Sequence, residues 1–200
     1  GVVWTPEGTG LSLAADWFDI TVEDVIGTLS STQVLAACFN RDGSNPGYAA
    51  DNFYCSLIRR NADTGRIDNI DKPTSNMGSL KTSGVDVQID WQRALGNGAQ
   101  LTLGTVASWV DRYEVQSVRG GNSYDYAGHV GTLPTWKAVS HARYRQGPGS
   151  IGLRWRYTGA MEHSSKVLNP ASTTPGVGAY SYFDLFGGWE FGERLTVNAG

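Results

Sequence analysis

The segment Ser150-Ile-Gly-Leu-Arg-Trp-Arg-Tyr-Thr-Gly159 constrains the fold more than any other stretch of the chain. Along an extended strand, successive side chains point to opposite faces. Ile151, Leu153, Trp155 and Tyr157 then share one face, while Gly152, Arg154, Arg156 and Thr158 share the other. Two architectures accommodate such a strand. A soluble sandwich turns the apolar face to a core and the guanidinium groups to water. A transmembrane barrel turns the apolar face to lipid and the polar face to a wet lumen.

The pattern recurs along the chain. Leu11–Thr21 sets Leu11, Leu13, Ala15 and Trp17 against Ser12, Ala14 and Asp16, and Ser83–Trp91 sets Val85, Val87, Ile89 and Trp91 against Gly84, Asp86, Gln88 and Asp90. Leu101–Tyr113 carries Leu101, Leu103, Thr105, Ala107 and Trp109 on one face. Trp136–Arg145 opposes Trp136, Ala138, Ala142 and Tyr144 to Lys137, His141, Arg143 and Arg145. In Tyr182–Phe191, Phe183, Leu185, Trp189 and Phe191 oppose Tyr182, Asp184 and Glu190. With Val2–Thr5, Ser150–Gly159 and the terminal Leu195–Gly200, this makes about eight strands or part-strands with little helix between them.

The connectors choose between the two architectures. Pro6–Gly10, Ala94–Gly98, Gln146–Gly149 and Gly192–Arg194 are short; roughly Val22–Asn76, Glu114–Thr135 and Met161–Ala179 are long, and the two kinds alternate. In an up-and-down meander this puts all tight turns at one end and all long loops at the other. Outer-membrane barrels do so systematically, with short periplasmic turns and long extracellular loops. Composition agrees. Charged residues are only 18%, with 26 Gly, nine Tyr and seven Trp, which suits a turn-rich, aromatic-girdled barrel. No apolar stretch is long enough for a transmembrane helix, which leaves a barrel open because its strands alternate. A net charge of −3 without a basic run gives no footprint for nucleic acid.

Residues 22–76 have substructure of their own. Ser30-Ser-Thr-Gln33 is a capping-box pattern ahead of Val34, Leu35 and Cys38. Ser56–Arg60 and Arg66–Ile70 read as a hairpin across Asn61–Gly65. Cys38 and Cys55 are either a disulfide or two free thiols; the bridge is favoured, since a long loop gains most from a staple, and it implies an oxidising compartment.

Chemistry is sparse. His129, His141 and His163 are scattered, and no G-x-S-x-G, H-E-x-x-H or C-x-x-C motif occurs, so no catalytic residue, metal site or cofactor is expected. Asn40-Arg-Asp-Gly-Ser44 lacks the glycine and glutamate spacing of a calcium loop and reads as a polar turn. A polar face inside a barrel would carry Asp16, Asp86, Asp90, Arg112, Lys137, His141, Arg143, Arg154, Arg156, Asp184 and Glu190. Each could contact a ligand or a plug, or simply pair across strands. Trp17, Trp91, Trp109, Trp136, Tyr144, Trp155, Tyr157 and Trp189 are the lipid-facing or girdle set, or core aromatics if the fold is a sandwich.

Leu11-Ser-Leu-Ala-Ala-Asp-Trp-Phe-Asp-Ile20, Asn76-Met-Gly-Ser-Leu-Lys-Thr-Ser-Gly-Val-Asp86, Tyr182-Phe-Asp-Leu185 and Leu195–Gly200 together resemble the C-terminal barrel half of TonB-dependent outer-membrane receptors. The resemblance spans residues 1–200, and the Cys38–Cys55 loop with Asp63-Thr-Gly-Arg66 is similar to a loop seen in many members. It implies an all-β, antiparallel up-and-down transmembrane barrel of about 22 strands. Some eight of those strands are present here, with the plug, the early strands and the last strand missing. It also implies residence in the outer membrane of a Gram-negative bacterium, among lipid. A plug domain would reach the TonB complex through its TonB box and drive import of a scarce nutrient (iron chelate such as a siderophore, cobalamin or saccharide). The competing expectations are a secreted β-sandwich binding module, which would bury Ile151, Leu153 and Trp155, and an outer-membrane hydrolase using His141.

Overall fold

A computed structural model describes residues 1–76, 78–192 and 195–200. Met77 and the Glu193-Arg194 part of the last short turn lie outside the described residues. The principal sheet follows the chain almost in order. Its path is β1 (Val2–Trp4), β2 (Leu11–Glu23), β7 (Ser79–Ala94), β8 (Ala99–Gln116), β10 (Trp136–Gln146), β11 (Gly149–Thr158), β12 (Tyr180–Phe191) and β13 (Leu195–Ala199), with β9 (Ser123–Asp125) appended to β8. The eight expected strands are all present, and β9 makes a ninth. The strand pairs whose register is described are antiparallel, as an up-and-down meander demands. The path ends at β1 and β13 without closing.

The strands outrun their apolar stretches. β7 and β8 are 16 and 18 residues long, whereas about 9–11 residues cross a bilayer. In these two strands the alternation of greasy and polar residues marks only the middle, so the expected bounds Ser83–Trp91 and Leu101–Tyr113 stop short at both ends, whereas β10 and β11 match their expected bounds to within one residue.

Two compact units divide the chain: residues 1–19, 83–111 and 127–200 form one, and residues 20–82 and 112–126 the other. The first is nearly all sheet, and its buried apolar residues are Ala99 and Val110 alone among those described. The second holds the core. Leu29, Val34, Ala37, Leu57 and Val118 are buried together, with Tyr54, Ile58 and Ile70 packed against them. This unit contains α1 (Ser31–Cys38), α2 (Phe53–Ser56) and the small pairs β3 (Ile26–Thr28) with β6 (Thr74–Asn76) and β4 (Ile58–Arg60) with β5 (Ile67–Ile70). Because β2 continues to Glu23 and β7 begins at Ser79, the connector is residues 24–78 rather than 22–76.

The capping box forms: Ser30 Oγ accepts from Gln33 N–H at 3.2 Å, and Ser30 N–H donates to Gln33 Oε1 at 2.9 Å. A short helix with such an N-cap is still marginal alone, so its stability comes from packing. Val34, Ala37 and Cys38 supply the buried face. Cys38 is bonded to Cys55, 17 residues along, and Asn45 Nδ2 donates to Cys38 O at 2.8 Å. The β8–β9 turn joins this body: Val118 enters the core, Asn122 N–H donates to Asp42 O, Tyr54 Oη donates to Arg119 O, and Arg119 pairs with Asp24. Burial, reinforced by the Asp42 carboxylate, raises the Tyr54 phenol above its ordinary value and keeps it a neutral donor.

Closing a loop of this length removes about 3 kcal/mol of unfolded-state entropy. Replacing Cys38 and Cys55 by Ser is therefore expected to lower the opening free energy of α1 by about that amount. Amide exchange of Val34–Cys38 with and without the substitutions measures it; unchanged protection would show that packing alone holds the helix.

Candidate functional site

Register shows how the residues of the sheet are shared between its faces. Residues opposite each other on antiparallel strands point the same way. Leu103, Ala142, Leu153 and Leu185 lie in one such row; Trp109 faces Trp136, and Trp155 faces Phe183. The next row over is Gly104, His141, Arg154 and Asp184. The alternation seen in one strand thus continues across β8, β10, β11 and β12. Ser83 Oγ reaches Asp111 Oδ2 at 3.5 Å, so odd positions of β7 share the face of odd positions of β8. Val85, Val87, Ile89 and Trp91 then join the apolar face, and Asp86 and Asp90 the polar one.

The apolar face is uncovered. Ile151, Leu153 and Trp155 are 54%, 44% and 36% exposed, and Trp17, Trp136, Phe183, Leu185 and Trp189 are exposed as well. A sandwich would have buried the first three between sheets, so that expectation is overturned. Aromatics gather in two bands. Trp109 and Trp136 stand 6.2 Å apart between ring centroids, and Trp155 stacks on Phe183 at 6.4 Å near the long-loop ends of the strands. Trp91, Tyr144 and Trp189 occupy the tight-turn end, where Trp91 Nε1 donates to Thr9 O at 3.1 Å. Trp136 and Tyr144 bound β10, about 26 Å apart along a strand rising ~3.3 Å per residue. At a strand tilt of roughly 40°, this is about 20 Å of height, close to the apolar band of an outer-membrane barrel.

The polar face carries a graded set of cations. Arg156 Nη2 pairs with Asp184 Oδ1 at 3.1 Å, and Arg145 Nη2 with Glu190 Oε1 at 2.8 Å. Arg143 donates to Ser150 Oγ at 3.1 Å, and the Arg154 guanidinium lies 5.8 Å from the centroid of the Phe186 ring. Arg112 falls in the second unit, where it is half-buried. Two glycines seat rings on the polar face: a side chain at Gly104 would run into the His141 imidazole, and one at Gly152 into the Phe186 ring and Ala142 O. Nothing in the linear sequence marks these two contacts, because they depend on register.

The loops have chemistry too. In the second unit, a recess of about 480 Å³ is lined by Cys38, Phe39, Tyr48, Ala50, Cys55, Ile58 and Arg60. Phe39 and Tyr48 are 46% and 69% exposed. In the first unit, His129 and Glu162 form a backbone bridge between the other two long loops. Lys166 Nζ donates to Glu162 Oε1 at 3.0 Å within α3 (Ser165–Leu168) and the residues before it. His163 Nδ1 sits 2.9 Å from Ser165 Oγ and accepts from Ser165 N–H, a local cap on the first turn of α3. Among the described residues no cluster of His, Cys, Asp and Glu is disposed to hold a metal ion.

Strand order, alternating faces and connector lengths define one wall of an antiparallel up-and-down β-barrel. Residues 1–200 match the family model "TonB dependent receptor-like, beta-barrel", and the chain belongs to that family. Among solved structures, the siderophore receptor PirA from Acinetobacter baumannii has the same fold, with a TM-score of 0.52 at 13% identity. That match covers 98% of this chain and 25% of PirA, so the chain spans about a quarter of its structural relative. No curated protein matches the chain.

Two outcomes test this geometry. Gly152→Val is expected to cost about 1–3 kcal/mol by forcing Phe186 off the sheet, read as a lower unfolding midpoint in detergent; an unchanged midpoint would mean the ring has room to shift. Lys166 holds the Glu162 carboxyl below its ordinary range, first through its hydrogen bond and then through its charge, with His129 adding a smaller pull. A lowered carboxylate contributes above its unfolded pKa and loses that contribution as pH falls through the folded one. Protection of the Ser165–Leu168 amides, taken relative to the intrinsic exchange rate at each pH, should therefore fall slightly as pH drops below the ordinary carboxylate range of about 4, and Glu162→Gln should abolish the dependence.

Proposed function

We propose that the chain forms part of an outer-membrane receptor that binds a scarce nutrient at the cell surface and imports it with energy delivered through TonB. The observation that carries this reading is the apolar face, exposed across consecutive strands and bounded by aromatics at both ends. In water such a surface invites aggregation; in a bilayer it is the lipid contact. Trp17, Trp91, Trp109, Trp155, Tyr157 and Trp189 are its lipid or girdle residues. Asp86, Asp90, Arg112, His141, Arg143, Arg154, Arg156 and Asp184 line the lumen. Long loops on the extracellular side present Phe39, Tyr48 and Arg60 around their recess, suited to a cargo combining flat apolar parts with negative charge. An iron chelate fits that chemistry, and the relative PirA is a siderophore receptor. The function is transport rather than catalysis, with the plug and TonB complex as partners.

In the intact protein, Leu153→Arg is expected to cost about 2–4 kcal/mol of stability in the membrane and to reduce the amount in the outer-membrane fraction. Deleting the gene should abolish growth on one limiting nutrient, tested first with ferric chelates as sole iron source. Recovery of the wild-type protein in the soluble fraction would overturn the reading.

A further inference from the structure

The loop between β11 and β12 folds back on itself: Met161 N–H donates to Val177 O at 2.8 Å, and Val177 N–H to Met161 O at 2.7 Å. It also clasps the connector that precedes β10. Val130 N–H donates to Glu162 O and Glu162 N–H to Gly128 O, both at 2.8 Å. His163 follows that clasp directly and is half-buried. Its Nδ1 accepts from Ser165 N–H at 3.2 Å and lies 2.9 Å from Ser165 Oγ. Ser165 Oγ is 2.7 Å from Ser172 Oγ, which in turn lies 3.2 Å from Thr174 Oγ1. A run of three hydroxyls thus ends on an imidazole.

Counting hydrogens along this run gives two arrangements. A ring nitrogen accepts only while it carries no proton. The bond from Ser165 N–H therefore requires a neutral ring with its hydrogen on Nε2. Ser165 O–H then points to Nδ1, and Ser172 O–H to Ser165 Oγ. Protonation makes Nδ1 a donor and reverses the run. Nδ1–H now donates to Ser165 Oγ, Ser165 O–H to Ser172 Oγ, and Ser172 O–H to Thr174 Oγ1. The same heavy-atom positions serve both arrangements, with one exception: Ser165 N–H loses its acceptor. That group belongs to the first turn of α3, whose N-cap Ser164 makes no side-chain cap bond. A helix of four residues has little stability of its own to absorb the loss.

The other histidine at the clasp is wired the opposite way. His129 Nδ1 lies 3.0 Å from Ala127 O, a carbonyl that can only accept, so this nitrogen already carries a hydrogen. Protonating His129 at Nε2 leaves that bond intact. The charged side chains beside His163 are Glu162 and Lys166, which pair with each other at 3.0 Å. Of the groups around the clasp, only His163 must give up a backbone hydrogen bond to take a proton.

We propose that His163 is a proton-sensitive catch on the clasp between the two long loops, closed when its ring is neutral and loosened when it is charged. The bond from Ser165 N–H is present at high pH and lost as the ring takes a proton, so the loops loosen on acidification.

The test is amide hydrogen exchange on the full-length protein in detergent, taken relative to the intrinsic rate at each pH. Between about pH 8 and about pH 5, the range in which histidines change charge, protection at Ser165–Leu168 should fall several-fold, and at Val130 and Glu162 with it. His163→Asn, whose amide oxygen can take the Ser165 N–H without titrating, should keep its protection flat over that range. His129→Gln should retain the wild-type response. In protein with 15N-labelled histidine, the His163 ring should carry its hydrogen on Nε2 at the higher pH. Flat protection in the wild type overturns the proposal, as does a fall that persists in His163→Asn or a hydrogen found on Nδ1 at the higher pH. A fall confined to the region below about pH 4 belongs to the Glu162–Lys166 pair and overturns it as well. A response at Ser165–Leu168 that stops short of Val130 and Glu162 overturns the link to the neighbouring loop.

Discussion

The structure depends on one constraint: among the described residues nothing covers the apolar face of the principal sheet. Its unit buries almost no apolar side chain, and rows such as Leu103–Ala142–Leu153–Leu185 lie open. A sheet of this kind needs an apolar solvent from outside, the environment that lipid gives the strands of a transmembrane barrel. In lipid every backbone donor and acceptor must also be paired, which consecutive antiparallel strands achieve everywhere except at the two ends of the sheet. Full closure removes those ends, and the family to which the chain belongs is one of barrels.

The long connector solves a different problem in a different way. A loop of this length in water cannot rely on lipid, and its backbone groups must be paired or hydrated. The chain gives it a core of its own, built around Leu29, Val34 and Val118, and a disulfide beside that core. Hydrophobic burial and covalent closure act together there, whereas the sheet has neither. Phe39 and Tyr48 are left exposed on a body otherwise committed to internal packing.

How much of this was legible in the sequence follows from the range of each interaction. Alternation has a period of two and needs only one strand, so the faces of Ile151–Tyr157 and Arg154–Arg156 could be read directly. Connector length is likewise a linear property, and its alternation of short and long matches the strand order of the principal sheet. The capping box at Ser30–Gln33 is local and formed as expected. Val118 carried no such signal: a lone valine between polar residues enters a core assembled some sixty residues earlier in the chain. The seating of His141 on Gly104 and of Phe186 on Gly152 was hidden for the same reason, since each requires the cross-strand register.

Register also changes what the charged residues mean. Read singly, each arginine of the polar face was most simply a partner for some carboxylate on the next strand. Both Arg145 and Arg156 reach carboxylates, but neither takes a direct register partner: Arg156 takes Asp184, which stands opposite Arg154, and Arg145 on β10 takes Glu190 on β12, beyond the adjacent strand β11. That diagonal choice is what leaves Arg154 to the Phe186 ring. A cation–π contact does not cancel a charge; it holds the guanidinium in place while leaving its field intact. The uncompensated charge at Arg143 and Arg154 is therefore a product of how two carboxylates are distributed among four guanidinium groups. An acidic residue in place of Phe186, two positions along and on the same face as Asp184, would put a carboxylate beside Arg154 within the wall itself.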